Sequence, residues 1–336
     1  MIYPEFLKEG DVVYVTAPSD GNTEEIDIIR LERAKNALES RGIKVLETAD
    51  VRKSENGRSD TAKIRAKEFE EAWTSDAKVV FSAKGGDFMM EMLSYLDFEK
   101  LAKTPKWFQG YSDNTSVSFI LATKYDIASV YCNNFNDFAM EKWHNSIENN
   151  WSILNGNIVT QNSFEKYQNE FFKGETGAEG YKFTDDVVWN NVAKSYDKPF
   201  EGRLIGGCLD VLLNIVGTRF DAANAFAGRY KDDGIIWYLE TFSLGSEDIE
   251  RGLWQLGEAG WFDNVKGFVF GRPTFFSSFS DTSFDEAVNN ALSKYNVPIV
   301  TGADIGHRPP QFTMVNGALA KVTYDNHGGT IDMRFV

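Results

Sequence analysis

Two cysteines, Cys132 and Cys208, are the only thiols in 336 residues. They lie far apart with no partner spacing, which excludes a disulfide framework and a thiolate metal cluster. Basic side chains are also in short supply. Lys and Arg number 35 against 50 Asp and Glu, for a net charge of −15 at pH 7. A phosphate backbone or an anionic bilayer attracts a basic surface, so neither nucleic acid nor a membrane is expected as a main partner. No apolar run approaches the ~18–20 residues that cross a bilayer. The opening stretch, MIYPEFLKEGDVVYVTAPSD, has neither the basic n-region nor the apolar h-region of a secretory leader. A reducing cytoplasm is therefore the expected location. The phosphate-cradling pattern G-x-x-x-x-G-K-[ST] is missing. Histidine occurs three times, at His144, His307 and His327, so the search for a histidine base is short.

What the chain does contain is an ordinary globular balance, 42% hydrophobic and 25% charged. Its length suits two domains. Over residues 1–150, strand-like and helix-like runs alternate. Residues 12–16 (VVYVT), 43–46, 78–83 (KVVFSA), the KWFQGYS run and 127–132 (IASVYC) read as strands. Residues 23–41 and 60–76 read as amphipathic helices. Such alternation predicts a parallel sheet covered on both faces, with ligands at the carboxyl ends of its strands. Residues 151–200 are polar, with scattered aromatics, and read as a connecting segment or flap. From 201 to 336 the signals return. EGRLIGGCLDVLLNIVGT reads as a Gly-Gly turn followed by an apolar helix. GIIWYLE reads as a buried strand ending on Glu240, and SEDIERGLWQLGEAGWF as a helix with an acidic first turn.

Three residues stand at the ends of predicted strands. Ser112, in GYSDNT, occupies a tight strand-to-helix turn and is either a helix N-cap or a nucleophile. The α/β-hydrolase elbow G-x-S-x-G would require a second glycine where Asn114 stands. Glu240 is a carboxylate at the mouth of an apolar strand, either paired, capping an amide, or functional. His307 follows the strand-like VPIVTG on a loop stiffened by Pro309 and Pro310. His144 and His327 read as surface residues. A serine needs a base to act as nucleophile, and a histidine needs an acceptor to fix its tautomer. The chain supplies one candidate for each role. The Gly85-Gly86 pair is either a plain turn or a place where a backbone N–H approaches a ligand.

GYSDNT at 110–115, KGG at 84–86, EGRLIGGCLDVLLNIVGT at 201–218, WYLE at 237–240 and GHRPPQF at 306–312 resemble, in order and spacing, the LD-carboxypeptidase family of serine peptidases. The family includes muramoyl-tetrapeptide carboxypeptidases and microcin C immunity peptidases. The resemblance implies a flavodoxin-like α/β N-terminal domain and a β-rich C-terminal domain, with the site between them. It implies a triad of Ser112, Glu240 and His307, and an oxyanion hole from the amides of Asp113 and Gly86. It implies no metal or other cofactor, a cell-wall peptide or peptidyl-nucleotide substrate, and a homodimer. Lys84 stands where many members carry Arg and is a candidate for holding a substrate carboxylate. Cys208 stands where Asn is usual. Trp189 either stacks on a nucleobase, as in the immunity-type branch, or packs in the core. A small-molecule esterase or amidase, and a non-catalytic binding protein on the same scaffold, are the alternatives.

Overall fold

The computed structural model describes residues 1–171, 174–193, 198–325 and 327–336. Five short runs form the strands β1 (Val12–Thr16), β2 (Lys44–Glu47), β3 (Val79–Ser82), β4 (Trp107–Gln109) and β5 (Ser129–Tyr131). They hydrogen-bond in the order β2-β1-β3-β4-β5, every pair parallel. This is the flavodoxin-like order, which places binding sites at the carboxyl edge. Every residue of β3 and β4 is buried, as strands covered on both faces require. Around the sheet lie α1 (Glu25–Glu39), α2 (Ala62–Thr74), α3 (Phe98–Ala102), α4 (Thr115–Tyr125) and α5 (Asn145–Leu154). Helix α1 turns Leu31, Ala34 and Leu38 inward at helical spacing. Thr61 caps α2 by accepting from the Ile64 amide. Helix α4 differs, because Thr115 to Thr123 are all buried. An all-round buried helix has neighbours on every side, and α4 packs on both β5 and the second half of the chain.

That second half forms an eight-stranded sheet. Its strands are β6 (Gln161–Asn162), β9 (Asn190–Asn191), β10 (Phe200–Cys208), β11 (Ile235–Glu240), β12 (Val265–Gly271), β13 (Ile299–Ala303), β15 (Leu319–Asp325) and β16 (Gly328–Arg334), with β7 (Lys166–Tyr167) and β8 (Asp185–Asp186) pairing separately and β14 (Met314–Asn316) lying elsewhere. The order is β6-β16-β15-β10-β11-β12-β13-β9. Strands β10 to β13 run parallel, and the outer strands join antiparallel. This half is sheet-rich, and it also carries helices α6 (Leu209–Ile215), α7 (Ala223–Arg229), α8 (Ser246–Glu258) and α9 (Phe284–Leu292). Strand β14 crosses back and pairs antiparallel with β5, Met314 opposite Tyr131. The two halves are thereby stitched through a shared strand.

One expectation changes. Gly206 and Gly207 are not a turn; they lie within the nine-residue strand β10. A Cβ at Gly206 would collide with the Tyr238 carbonyl, and one at Gly207 would meet Thr115 Oγ1 at 2.7 Å. Glycine there permits close approach of β11 and α4, not chain reversal. Residues 151–200 supply the edge strands β6 and β9 and the small β7–β8 pair. Parts of this segment, 172–173 and 194–197, lie outside the described residues.

Candidate active site

Strand β4 ends at Gln109, and the chain turns sharply through Gly110 and Tyr111 into Ser112. Ser112 has φ 65°, a left-handed conformation that a side chain enters at a cost of order 1–3 kcal/mol. The surroundings hold it there. The Tyr111 amide donates to Asn134 Oδ1 (3.2 Å), and Asn114 Nδ2 donates to the Tyr111 carbonyl (2.9 Å). Thr115 Oγ1 donates to the Ser112 carbonyl (2.7 Å). Ser112 is therefore not a side-chain N-cap: neither the single 3₁₀ turn at Ser112–Asn114 nor α4 has a side-chain cap hydrogen bond.

Next along, Asp113 is buried. Its Oδ2 accepts from Ser19 Oγ (2.5 Å) and from the Met89 amide (2.7 Å), and burial raises its carboxyl above the ordinary range. This side chain locks the turn to the loops after β1 and β3. The Gly85-Gly86 pair lies beside it. A Cβ on Gly85 would stand 3.1 Å from Ser112 Oγ. Gly86 has φ 155°, and a Cβ there would collide with Ser19 Oγ. Only glycine lets this loop lie against Ser112.

Facing the turn are the ends of β11 and the loop after β13. Glu240, the last residue of β11, is fully buried. Its Oε2 lies 2.9 Å from His307 Nδ1. Its Oε1 accepts from Tyr131 Oη at 2.5 Å. Tyr131 Oη in turn accepts from the Ser112 amide at 3.2 Å. A continuous chain thus runs from the backbone of Ser112 through Tyr131 and Glu240 to His307. Burial drives the Tyr131 hydroxyl far above its ordinary pKa, so it stays a donor. The His307 ring packs edge-on against Tyr111 (4.9 Å between centroids) and at a tilt against Phe242 (4.6 Å). With Nδ1 engaged by the carboxylate, Nε2 is left for chemistry.

A cavity of about 240 Å³ opens at His307 and Tyr111. Its walls include Arg30 and Asp137, the amides Asn133, Asn136 and Gln311, and Phe171 and Tyr181 from the connecting segment. That segment is pinned to the His307 loop, because the Gln168 amide donates to the Pro309 carbonyl (2.8 Å) and Arg308 reaches Asn169. Among the described residues, no group of His, Cys, Asp or Glu is arranged to hold a metal ion.

The structure thus gathers Ser112, Asp113, Gly86, Glu240 and His307. Lys84 is close but neutralised, with Nζ 3.1 Å from Asp20 and 3.4 Å from Asp27. Trp189 is elsewhere. It is completely buried, donates to Asp304 Oδ2 (3.1 Å) and packs on Phe312. Its packing alternative is the one found, and it has no face left for a substrate base. Exposed aromatic rings beside the cavity are instead Phe171, which lines it, and Phe275, 57% and 55% exposed and stacked at 5.2 Å. His144 is half-buried rather than superficial, with its ring against Phe164, Tyr181 and Phe183 and its basicity lowered by burial. Tyr131 had no signal in the sequence beyond its place at the end of a strand.

The sequence model of the LD-carboxypeptidase N-terminal domain matches residues 13–132, and that of the C-terminal domain matches residues 201–322. A putative carboxypeptidase of Vibrio cholerae is 25% identical, covering 100% of this chain and 99% of its own. The microcin C7 self-immunity protein MccF of Escherichia coli is 24% identical, over 91% of this chain and 89% of its own. MccF in complex with aspartyl sulfamoyl adenosine superposes with a TM-score of 0.83 at 23% identity, covering all of both chains. The muramoyltetrapeptide carboxypeptidase of Oxalobacter formigenes superposes at 0.73 and 25% identity, over 96% of this chain and 99% of its own. The chain belongs to the LD-carboxypeptidase family of serine peptidases.

Proposed function

We propose that this family member hydrolyses an amide bond through Ser112, His307 and Glu240, acting on an aminoacyl- or peptidyl-nucleotide of the microcin C type or on an LD-linked muropeptide. The observation that carries this reading is the Glu240–His307 bond at 2.9 Å, joined through Tyr131 to the amide of a strained Ser112. His307 Nε2 takes the proton from Ser112 Oγ as Oγ bonds to the scissile carbonyl carbon. Glu240 holds the tautomer and stabilises the imidazolium. The amides of Asp113 and Gly86 receive the oxyanion, each such donor contributing roughly 3–4 kcal/mol to the transition state. The same imidazolium proton passes to the leaving nitrogen as the C–N bond breaks. Water, deprotonated by His307, then opens the ester and restores Ser112.

The exposed Phe171–Phe275 stack beside the cavity favours a substrate with a planar group, such as a nucleobase. The MccF complex with aspartyl sulfamoyl adenosine supports the same class. Lys84, held by two carboxylates, has little charge to offer a substrate carboxylate. We place the enzyme in the cytoplasm as a homodimer, a state that sedimentation would test. Mass spectrometry of a muramoyl tetrapeptide and an aminoacyl-sulfamoyl adenosine, each incubated with wild type and Ser112→Ala, tests the function. Cleavage of either that is lost in Ser112→Ala is expected. Equal cleavage by both proteins, or no cleavage of either substrate, would overturn the reading.

A further inference from the structure

Three buried amide side chains lie together in the wall of the cavity beside His307, and each has one polar atom without a partner among the described residues. They are Asn133 Nδ2, Asn136 Oδ1 and Gln311 Oε1. The residues are 1%, 4% and 3% exposed, so bulk water does not satisfy them from outside. Their other halves are fixed. Gln311 Nε2 donates to Asn133 Oδ1 (3.2 Å), and Asn136 Nδ2 donates to Asn22 Oδ1 (2.8 Å). Turning the Asn133 and Gln311 amides together exchanges their roles, yet still leaves one spare donor and one spare acceptor. An unmet buried polar atom is costly to a fold, and buried polar atoms are nearly always paired. Three that line one cavity point to a ligand that completes them.

The unpaired set is two acceptors and one donor. Among the described residues, Asp27, Asp137 and Glu179 also line the cavity and Arg30 is the one Lys or Arg that does, with Lys84 reaching Asp27 at 3.4 Å. Arg30 is engaged by Asp137 at 2.8 Å. Carbonyl oxygens within an acidic wall suit a primary ammonium, whose three N–H groups need acceptors. The spare amide N–H suits an oxygen close to that ammonium. We propose that Asn133, Asn136 and Gln311 form a specificity subsite for a free amino-acid head, an ammonium with a nearby oxygen other than that of the scissile carbonyl. This rests on the cavity being the substrate site, and it adds the group by which the substrate is selected. Two sources carry that head. One is an aminoacyl-nucleotide with a free α-amine; the other is a muropeptide whose diamino acid side chain ends in an amine and a carboxylate.

The test is calorimetric binding to Ser112→Ala, which needs no turnover. The probes are an aminoacyl-sulfamoyl adenosine and a diaminopimelate-containing tetrapeptide, each also in N-acetylated form. The free amine of one pair is expected to bind at least 10-fold tighter than its acetylated form, and the pair that discriminates names the source. Adding Gln311→Met or Asn136→Leu should bring the two forms within about 2-fold. Each change removes an unpaired acceptor but also the donor that meets Asn133 Oδ1 or Asn22 Oδ1, so a modest fall in melting temperature is expected beside the loss of selectivity. Equal binding of free and acetylated forms, or full selectivity retained in both variants, would overturn the subsite. Selective binding by Ser112→Ala with no cleavage by wild type would keep the subsite and overturn the hydrolytic reading.

Discussion

The two halves of the site are held by different means. On the N-terminal side, the Ser112 turn is held by backbone: a left-handed residue, hydrogen bonds to main-chain atoms, and a buried Asp113 clamping two loops. On the C-terminal side, Glu240 and His307 are held by a side-chain pair at 2.9 Å, with aromatic rings on the imidazole. A strained turn places one atom rigidly, whatever its protonation state. A carboxylate–imidazole pair is electrostatic and can be retuned by one proton. The division fits what a serine hydrolase asks, since the nucleophile must be placed and the base must change charge.

That contrast can be broken from either side. If Ser112 is the nucleophile proposed above, Ser112→Ala should lower kcat by on the order of 10⁴- to 10⁶-fold. Ser112→Gly should be equally inactive while gaining about 1 kcal/mol of stability from the relieved backbone, read by chemical denaturation. A Ser112→Gly protein less stable than wild type would show that the turn is unstrained. On the other side, Glu240→Gln should lower kcat by roughly 10³- to 10⁴-fold through loss of the fixed tautomer, with little change in KM.

Tyr131 joins the two sides, so its loss should sharpen the comparison. Tyr131→Phe leaves a buried carboxylate oxygen and the Ser112 amide unmet, a loss of roughly 1–3 kcal/mol in stability. Kinetically, about a 10- to 100-fold fall in kcat is expected, within the range of a positioned proton-transfer group. An unchanged kcat would assign Tyr131 to packing alone.

The smallest expected effect lies away from the chemistry, in the N-terminal half. Burial and the neighbouring Glu68 raise the Asp50 carboxyl to about 7. A raised carboxyl stabilises the fold in full at pH values below its unfolded pKa. That contribution is lost as pH climbs through about 7. Asp50→Asn should flatten the fall in melting temperature between about pH 4 and 7, given the raised value of about 7. An unchanged slope would place the pH dependence elsewhere.

The sequence pattern reached the N-terminal half well. Buried strands there are short β-branched or aromatic runs, and the amphipathic helices announce themselves by spacing. The convergence of Ser112, Glu240 and His307 was legible because each lies at or a few residues beyond the carboxyl end of a strand, and parallel sheets gather strand ends. The strand through Gly206 and Gly207 was not, because glycine signals a turn locally while close packing against Tyr238 and Thr115 is a tertiary demand. Trp189 misled for a related reason. A tryptophan in a polar segment reads as exposed, but its indole N–H finds the buried Asp304 and its ring fills the space beside Gly329. Tyr131 and the three cavity amides were invisible, since their roles come from contacts more than fifteen residues away in the chain or from the lack of any contact.

The central claim is that Ser112 is the activated nucleophile. Intact-mass and peptide-mapped labelling with a small alkyl fluorophosphonate tests it most directly. One adduct per chain on the peptide containing Ser112 is predicted, formed far more slowly in Glu240→Gln and absent in Ser112→Ala. Labelling at another residue, or at the same rate in Glu240→Gln, would contradict the account.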